Sequence, residues 1–347
     1  MPNTIARAFA LSCSLLLTLS TACEANPDDF DEELDFDVDD ESADEDRLLV
    51  YGGRMTTGRR LNTNHSGNHF FSELNIHGQI HEGTRLVAID YDGPLGSSSV
   101  LPWTIQVVGG ALEAELSNGY IINHSDFNDT VWHLESFEPG GVYQHQLTVE
   151  TGWDQGSSTP LYNFSYSLGL GEGEMSTCVL EGEEPLTSAA VYAGLDVDDY
   201  TGVITHDPTL LYIGCVAGAV GKASLWHYRP ETLPAAAGGT PLQVFQASVA
   251  MIRADYCGDG NTYTLPGTPI YAEDKFGLNS IPAPPYIFGT APVDEAVWGL
   301  NGALCLDYRR VNNGFPVSCA GGTTPPPCWF GAANWYSGFD ALFWTAS

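Results

Sequence analysis

Lysine occurs only twice in this 347-residue chain, at Lys222 and Lys275, and lysine and arginine together number 12 against 44 aspartates and glutamates. The formal net charge is −32. A surface of that sign repels a phosphate backbone, which excludes nucleic acid as a partner. The chain has no apolar run of the roughly 20 residues that a membrane-spanning helix needs. It has no Gly-x-Ser-x-Gly nucleophile elbow, no phosphate-binding glycine loop and no dinucleotide fingerprint. Cysteine is absent from residues 24–177. No catalytic, cofactor-binding or metal-ligating set is therefore assigned from the sequence.

What is present begins with an address. Residues 1–22 open with one positive charge, Arg7, and pass through a short apolar stretch ending in Leu15-Leu16-Leu17-Thr18-Leu19. They leave through the small residues Ser20, Thr21 and Ala22. That order is the pattern of a secretory signal peptide. Leu19-Ser20-Thr21-Ala22-Cys23 resembles a lipobox, in which the cysteine is lipidated and becomes the mature N-terminus; its leucine stands one place earlier than usual. Lipid chains on Cys23 imply a membrane anchor, with about 0.8 kcal/mol per buried methylene. Glu24 in the second mature position implies the outer membrane, with the body facing the periplasm or the surface. Residues 24–47 hold 14 acidic residues and one arginine. Such a run cannot bury enough apolar surface to order itself, and its charges extend it. Residues 23–47 thus read as a lipidated cysteine and a disordered acidic tether. Within it, Asp35-Phe36-Asp37-Val38-Asp39-Asp40 lacks the glycine turn and closing glutamate of a calcium loop.

The body, residues 48–347, keeps 30 acidic and 10 basic residues, a surface that serves solubility. Glycine (38) and proline (21) are frequent. Short β-branched or aromatic runs, Leu86–Ile89, Thr104–Val108, Tyr120–Ile122 and Gln146–Val149, sit between turn residues and read as strands. Residues 48–175 are expected to be a β-rich, sandwich-like unit. Residues 176–347 hold the six cysteines of the body, Cys178, Cys215, Cys257, Cys305, Cys319 and Cys328. An even number in an exported chain implies up to three disulfides among 15 possible pairings. This uneven distribution sets the expected boundary near residue 175. Leu242, Phe245, Val249, Ile252 and Tyr256 recur at steps of three and four, which predicts a helix over Leu242–Tyr256 with Pro241 at its start and Gly258 closing it. A second, shorter helix is expected over Gly214–Tyr228. Thr262–Leu265 and Ala303–Leu306 read as strands. The fold class is mainly β / α+β, with a disulfide-braced C-terminal half carrying one or two helices.

Arg253-Ala254-Asp255-Tyr256-Cys257-Gly258-Asp259-Gly260, followed by Tyr263-Thr264 and Gly267-Thr268-Pro269-Ile270, resembles the signature of the ADYC domain family. Gly214–Lys222 is similar to that family's upstream glycine-and-cysteine helix. Glu295-Ala296-Val297-Trp298 with Gly302–Leu306 is similar to its downstream strand. The resemblance covers roughly residues 176–345 and implies an exported, often lipidated protein without implying an activity. It also implies a lost disulfide, since Ala223 and Ser248 stand where relatives carry cysteines.

Several residues invite chemistry. Cys257 as a nucleophile needs a histidine base such as His206 or His227, which sequence does not place; in an oxidising compartment it reads as a disulfide cysteine. Asp255-x-Cys257-x-Asp259-Gly260 imitates the start of a calcium loop with a sulfur where a hard oxygen is required, so Asp255 and Asp259 read as braces of the turn after the helix. Asp196-Val197-Asp198-Asp199-Tyr200-Thr201-Gly202 reads as a solvated acidic turn, the alternative being a calcium-binding loop. His65 and His69, and His77 and His81, have the spacing of a zinc pair only if helical, and their glycine- and asparagine-rich context argues against that. Trp329, Phe330, Trp335, Tyr336, Phe339, Phe343 and Trp344 read as core of a small domain, the alternative being a ligand platform. The combined reading is a cell-envelope binding or structural module without catalytic activity, for an unspecified envelope ligand. The alternative is an extracytoplasmic hydrolase with acidic active-site residues.

Overall fold

The computed structural model describes residues 54–64, 71–167, 174–179, 187–199, 201–280, 294–311, 316–328 and 340–346. The signal, Cys23, the acidic tether, His65, His69, Tyr200 and the aromatic residues Trp329, Phe330, Trp335, Tyr336 and Phe339 lie outside them. In chain order the strands are β1 (Arg54–Thr56), β2 (Glu73–Asn75), β3 (Thr84–Gly93), β4 (Gly96–Val100), β5 (Gln106–Val108), β6 (Ala111–Glu115), β7 (Ile121–Asn123), β8 (Val131–Glu138), β9 (Gly141–Trp153), β10 (Pro160–Ser167), β11 (Glu174–Ser176), β12 (Ala189–Val197) and β13 (Ile204–Cys215). Helices α1 (Ala219–Leu225) and α2 (Pro241–Arg253) follow. Strands β14 (Pro269–Asp274), β15 (Asp294–Gly299), β16 (Gly302–Leu306) and β17 (Phe343–Ala346) complete the order.

The strands form three antiparallel sheets. The largest runs β2-β13-β12-β10-β9-β8-β3-β4, with β11 on β10; the others are β5-β6-β7 and β1-β14-β17-β15-β16. Alternation explains the first. In β8, Trp132, Leu134 and Ser136 are buried while Val131, His133 and Glu135 are less so, the period-two pattern of a strand with one face on a core. Trp132, Leu134, Leu147, Val149 and Phe164 meet Leu112, Ala114 and Ile122 of the small sheet in one core. This is the sandwich-like packing expected of the N-terminal half.

Strands β12 and β13 lie beyond residue 175 yet belong to that same sheet, β12 bonded to β10 and β13 to β2. Their stretches Ala189–Tyr192 and Leu210–Cys215 are buried on both faces. Ala189 and Val191 point into the sandwich core. Ala190 and Tyr192 point into a second core with Tyr212, Val220, Phe245, Trp298 and Phe343, built from the helices and the C-terminal sheet. β1 in turn pairs with β14, so segments from both sides of residue 175 complete each other's sheets.

The helices are shorter than their periodicity. Gly214 and Cys215 belong to β13, laddered to Ala190 and Ala189, and α1 begins only at Ala219. Pairing with β12 satisfies those backbone groups, which outweighs local pattern. Helix α2 stops at Arg253 and not beyond Tyr256, because Ala254 itself turns left-handed, at φ 54°. Thr262–Leu265 is not a strand; the next ladder starts at Pro269. Of Thr104–Val108 only Gln106–Val108 is strand, since Pro102–Thr104 form a short 3-10 turn. Ala223 on α1 and Ser248 on α2 are both fully buried. Phe343 and Trp344 fill β17, buried as core residues.

Candidate functional site

Helix α2 is fixed at both ends. Thr240 Oγ1 accepts from the Gln243 amide and Gln243 Oε1 accepts from the Thr240 amide, with Pro241 in the first turn. This capping box is written in the local sequence. At the other end the Asp255 amide donates back to the Ala250 carbonyl at 2.9 Å, a reversal that requires the left-handed Ala254.

The residues after it form a knot. The two Asp255 carboxylate oxygens accept from the amides of Asp259 (3.1 Å) and Gly260 (2.8 Å). Burial raises the Asp255 carboxyl above the ordinary aspartate range, against the pull of those amides and of Arg253. The Tyr256 hydroxyl donates to Glu295 Oε1 at 2.9 Å and accepts from the Arg310 amide at 2.9 Å, while its ring stacks on Trp298 at 5.2 Å. Burial, then the Glu295 charge, pushes that hydroxyl well above its usual pKa. Cys257 is bonded to Cys319. Gly258 has φ 63°, and a Cβ there would lie 2.4 Å from the Asn301 carbonyl oxygen. Arg253 donates to the carbonyls of Arg59 (3.1 Å) and Gly260 (2.8 Å). The signature residues Arg253 to Gly260 thereby tie the end of α2 to the β15–β16 hairpin and, through Arg253, to the segment before β2. Their functional groups are engaged inside the protein: the Cys257 sulfur in a disulfide, the Asp255 oxygens on backbone amides. The pocket enclosed against Gly202, Val249, Arg253 and Asn301 holds about 70 Å³, room for a water or two and far below the several hundred Å³ of a small-molecule site.

A larger cleft opens beside the knot. It has a volume of about 400 Å³ and is lined, among the described residues, by Leu306, Asp307, Tyr308, Arg309, Pro316, Val317 and Thr324. Both walls are stapled. Leu306 follows Cys305, which is bonded to Cys328, and Val317 precedes Cys319, bonded to Cys257. The Asp307 carboxylate accepts from the Cys328 amide at 2.6 Å. Tyr308 is 61 % exposed. The cleft thus combines apolar and aromatic surface with one acid and one guanidinium.

The third bridge, Cys178–Cys215, lies in the sandwich core. His206 Nδ1 is 2.8 Å from the Gly194 carbonyl, and His227 is exposed at a left-handed turn. His77 and His81 do not share a helix: His77 is exposed, whereas His81 Nε2 lies 2.7 Å from Glu73 Oε2. Asp198 and Thr201 shape the β12–β13 turn, the Thr201 amide donating to Asp198 Oδ1. Sequence reading missed Glu73, Arg310 and the cleft. Glu73 sits between buried Ser72 and Leu74 and looks like an ordinary outward residue of a strand. Arg310 carried one signal, being one of only ten cations of the body.

The model of the ADYC domain family matches residues 124–312. No curated protein and no solved structure matches the chain.

Proposed function

Because this chain belongs to the ADYC domain family, we propose that it is an exported lipoprotein, held on the outer membrane through lipidated Cys23, whose body is a binding or structural module of the cell envelope. The observation that carries the reading is the stapled cleft at Leu306–Arg309 and Pro316–Thr324, with a disulfide behind each wall. Walls held covalently lose little conformational entropy when a ligand docks, which favours recognition. The signature supports the same reading, since its Cys257 is bonded to Cys319, two residues from the cleft wall at Val317. Three disulfides suit an oxidising compartment, and the acidic tether suits display at a distance from the bilayer.

The test is expression of the full chain in a Gram-negative host, followed by fractionation and mass measurement of the mature N-terminus. The expected result is a membrane-bound protein carrying acyl mass on Cys23, with Cys23→Ser released to the soluble fraction. A soluble, unmodified wild-type protein overturns the anchor. For the cleft, co-sedimentation of the purified protein with isolated envelopes should fall in Tyr308→Ala; equal sedimentation of both proteins removes the cleft from the reading.

A further inference from the structure

The opposite end of the β12–β13 wall brings Glu73 and His81 together with Asp196, more than a hundred residues further along the chain. Tyr212 on β13 stands directly opposite Glu73 on β2, and cross-strand partners share a face. Leu74 points into the sandwich core, so Glu73 points to the other side. His81 arrives from a two-residue turn, Glu82–Gly83, both residues with positive φ, closed by reciprocal His81–Thr84 backbone bonds of 2.8 Å. Asn75 fixes the approach, accepting from the amides of His77 and Gln79 and donating to Thr209 Oγ1. Asp196 follows a bulge at Gly194, φ 71°, and its carboxylate accepts from the Thr205 hydroxyl across the ladder at 3.1 Å.

We propose that Glu73, His81 and Asp196 bind a divalent transition-metal ion of the zinc class. One ligand atom from each lies within 4.8 Å of the others. Each residue is set by backbone bonds of a different element, so the donors are preorganised. One Glu73 oxygen is fixed by the Val197 amide at 2.7 Å, and the other faces His81 Nε2. An imidazole nitrogen with two carboxylates suits zinc-class ions and leaves a fourth position open. Calcium, which takes oxygen ligands throughout, is disfavoured by the imidazole.

The Glu73 carboxylate is itself 4 % exposed, with Glu82 and Asp196 as acidic neighbours, and a dication offsets that crowding. This inference is independent of the cleft and of lipidation.

The probe is Zn2+ added to the full, oxidised, chelator-stripped protein in competition with a chromophoric chelator, and Co2+ for its visible spectrum. We expect one tight equivalent, and Co2+ bands of a four- or five-coordinate nitrogen–oxygen site. His81→Ala and Asp196→Asn should each weaken Zn2+ binding by about tenfold or more, as removal of a ligand implies. His77→Ala, four residues away and exposed, should leave it unchanged. Asp196 is only half-buried, so its variant tests the site even if His81→Ala fails to fold. Absence of a tight equivalent in the wild-type protein overturns the proposal. So does tight binding that survives Asp196→Asn and His81→Ala alike, which assigns the ion to the acidic tether.

Discussion

Arg310 and Glu295 form an ion pair from which water is wholly excluded: Nη2 to Oε1 is 2.8 Å and both side chains are 0 % exposed. The guanidinium also donates to the carbonyls of Ile252 (2.8 Å) and Met251 (3.0 Å). Those are last-turn carbonyls of α2, at the negative end of the helix dipole, and Met251 also accepts from the Ala254 amide. One side chain therefore neutralises a buried acid and caps the helix that leads into the signature.

Breaking this pair from either side should be among the costliest changes in the protein. Arg310→Met leaves the buried Glu295 carboxylate without its counter-ion, held by the Tyr256 hydroxyl alone, and strips the guanidinium from the Ile252 and Met251 carbonyls; Glu295→Gln leaves a buried guanidinium without its counter-ion. A buried pair broken by one substitution loses about 3–5 kcal/mol. Denaturant unfolding should show the loss for both variants, and a loss below about 1 kcal/mol in either would contradict the geometry.

Two left-handed positions in the knot should respond in opposite ways. Gly258→Ala brings a Cβ within 2.4 Å of the Asn301 oxygen at φ 63° and should cost about 2 kcal/mol or more. Ala254 already adopts φ 54°. Ala254→Gly relieves a strain of about 1–2 kcal/mol while adding unfolded-state entropy and losing a buried methyl. It should fall within about 1 kcal/mol of wild type in the same unfolding assay.

Acidification should destabilise the sandwich through His124. Its Nδ1 lies 2.9 Å from the Tyr162 hydroxyl, whose oxygen already accepts from the Leu112 amide at 2.7 Å. One lone pair of that oxygen is thus taken, and the imidazole and hydroxyl share the remaining bond. Burial lowers the pKa of His124 below 6.5, against a smaller opposing contribution from the Gly152 backbone. Below that value the unfolded chain takes up a proton that the folded chain refuses, so this contribution is complete above about pH 6.5 and is lost as pH falls through the folded pKa. His124→Phe should lower stability near neutrality yet show a smaller loss than wild type between about pH 7.5 and 5.5. Parallel pH profiles of the two proteins would refute the assignment.

A non-reducing peptide map of the oxidised protein should contain the bridges 178–215, 257–319 and 305–328, with no alkylatable thiol among those six cysteines. Loop separations of 37, 62 and 23 residues correspond to about 3–4 kcal/mol each in the chain-entropy account. Serine replacement of a bridged pair should therefore destabilise measurably in every case. A reactive Cys257 would return a cysteine nucleophile to consideration.

Much of the architecture was legible because it is local. The capping box at Thr240 and Gln243, the three-and-four spacing of α2 and the β-branched runs of β3, β7 and β9 each encode their element within a few residues. So did the family signature, whose eight residues close one turn. What failed to read were places where a distant strand decided the outcome. Gly214 and Cys215 look like the start of a helix until β12 offers them a ladder.

The sequence by itself determined the class of fold, the presence of a helix ending in the signature, and the availability of six cysteines for bridges, since composition and periodicity act along the chain. Only the tertiary structure decided which cysteines meet, that strands from both sides of residue 175 share one sheet, and that Glu73, His81 and Asp196 converge. Those outcomes depend on register between distant segments, from 23 residues apart at Cys305–Cys328 to 123 between Glu73 and Asp196. Register of that kind is set by two buried faces fitting at once, which no short stretch of sequence records.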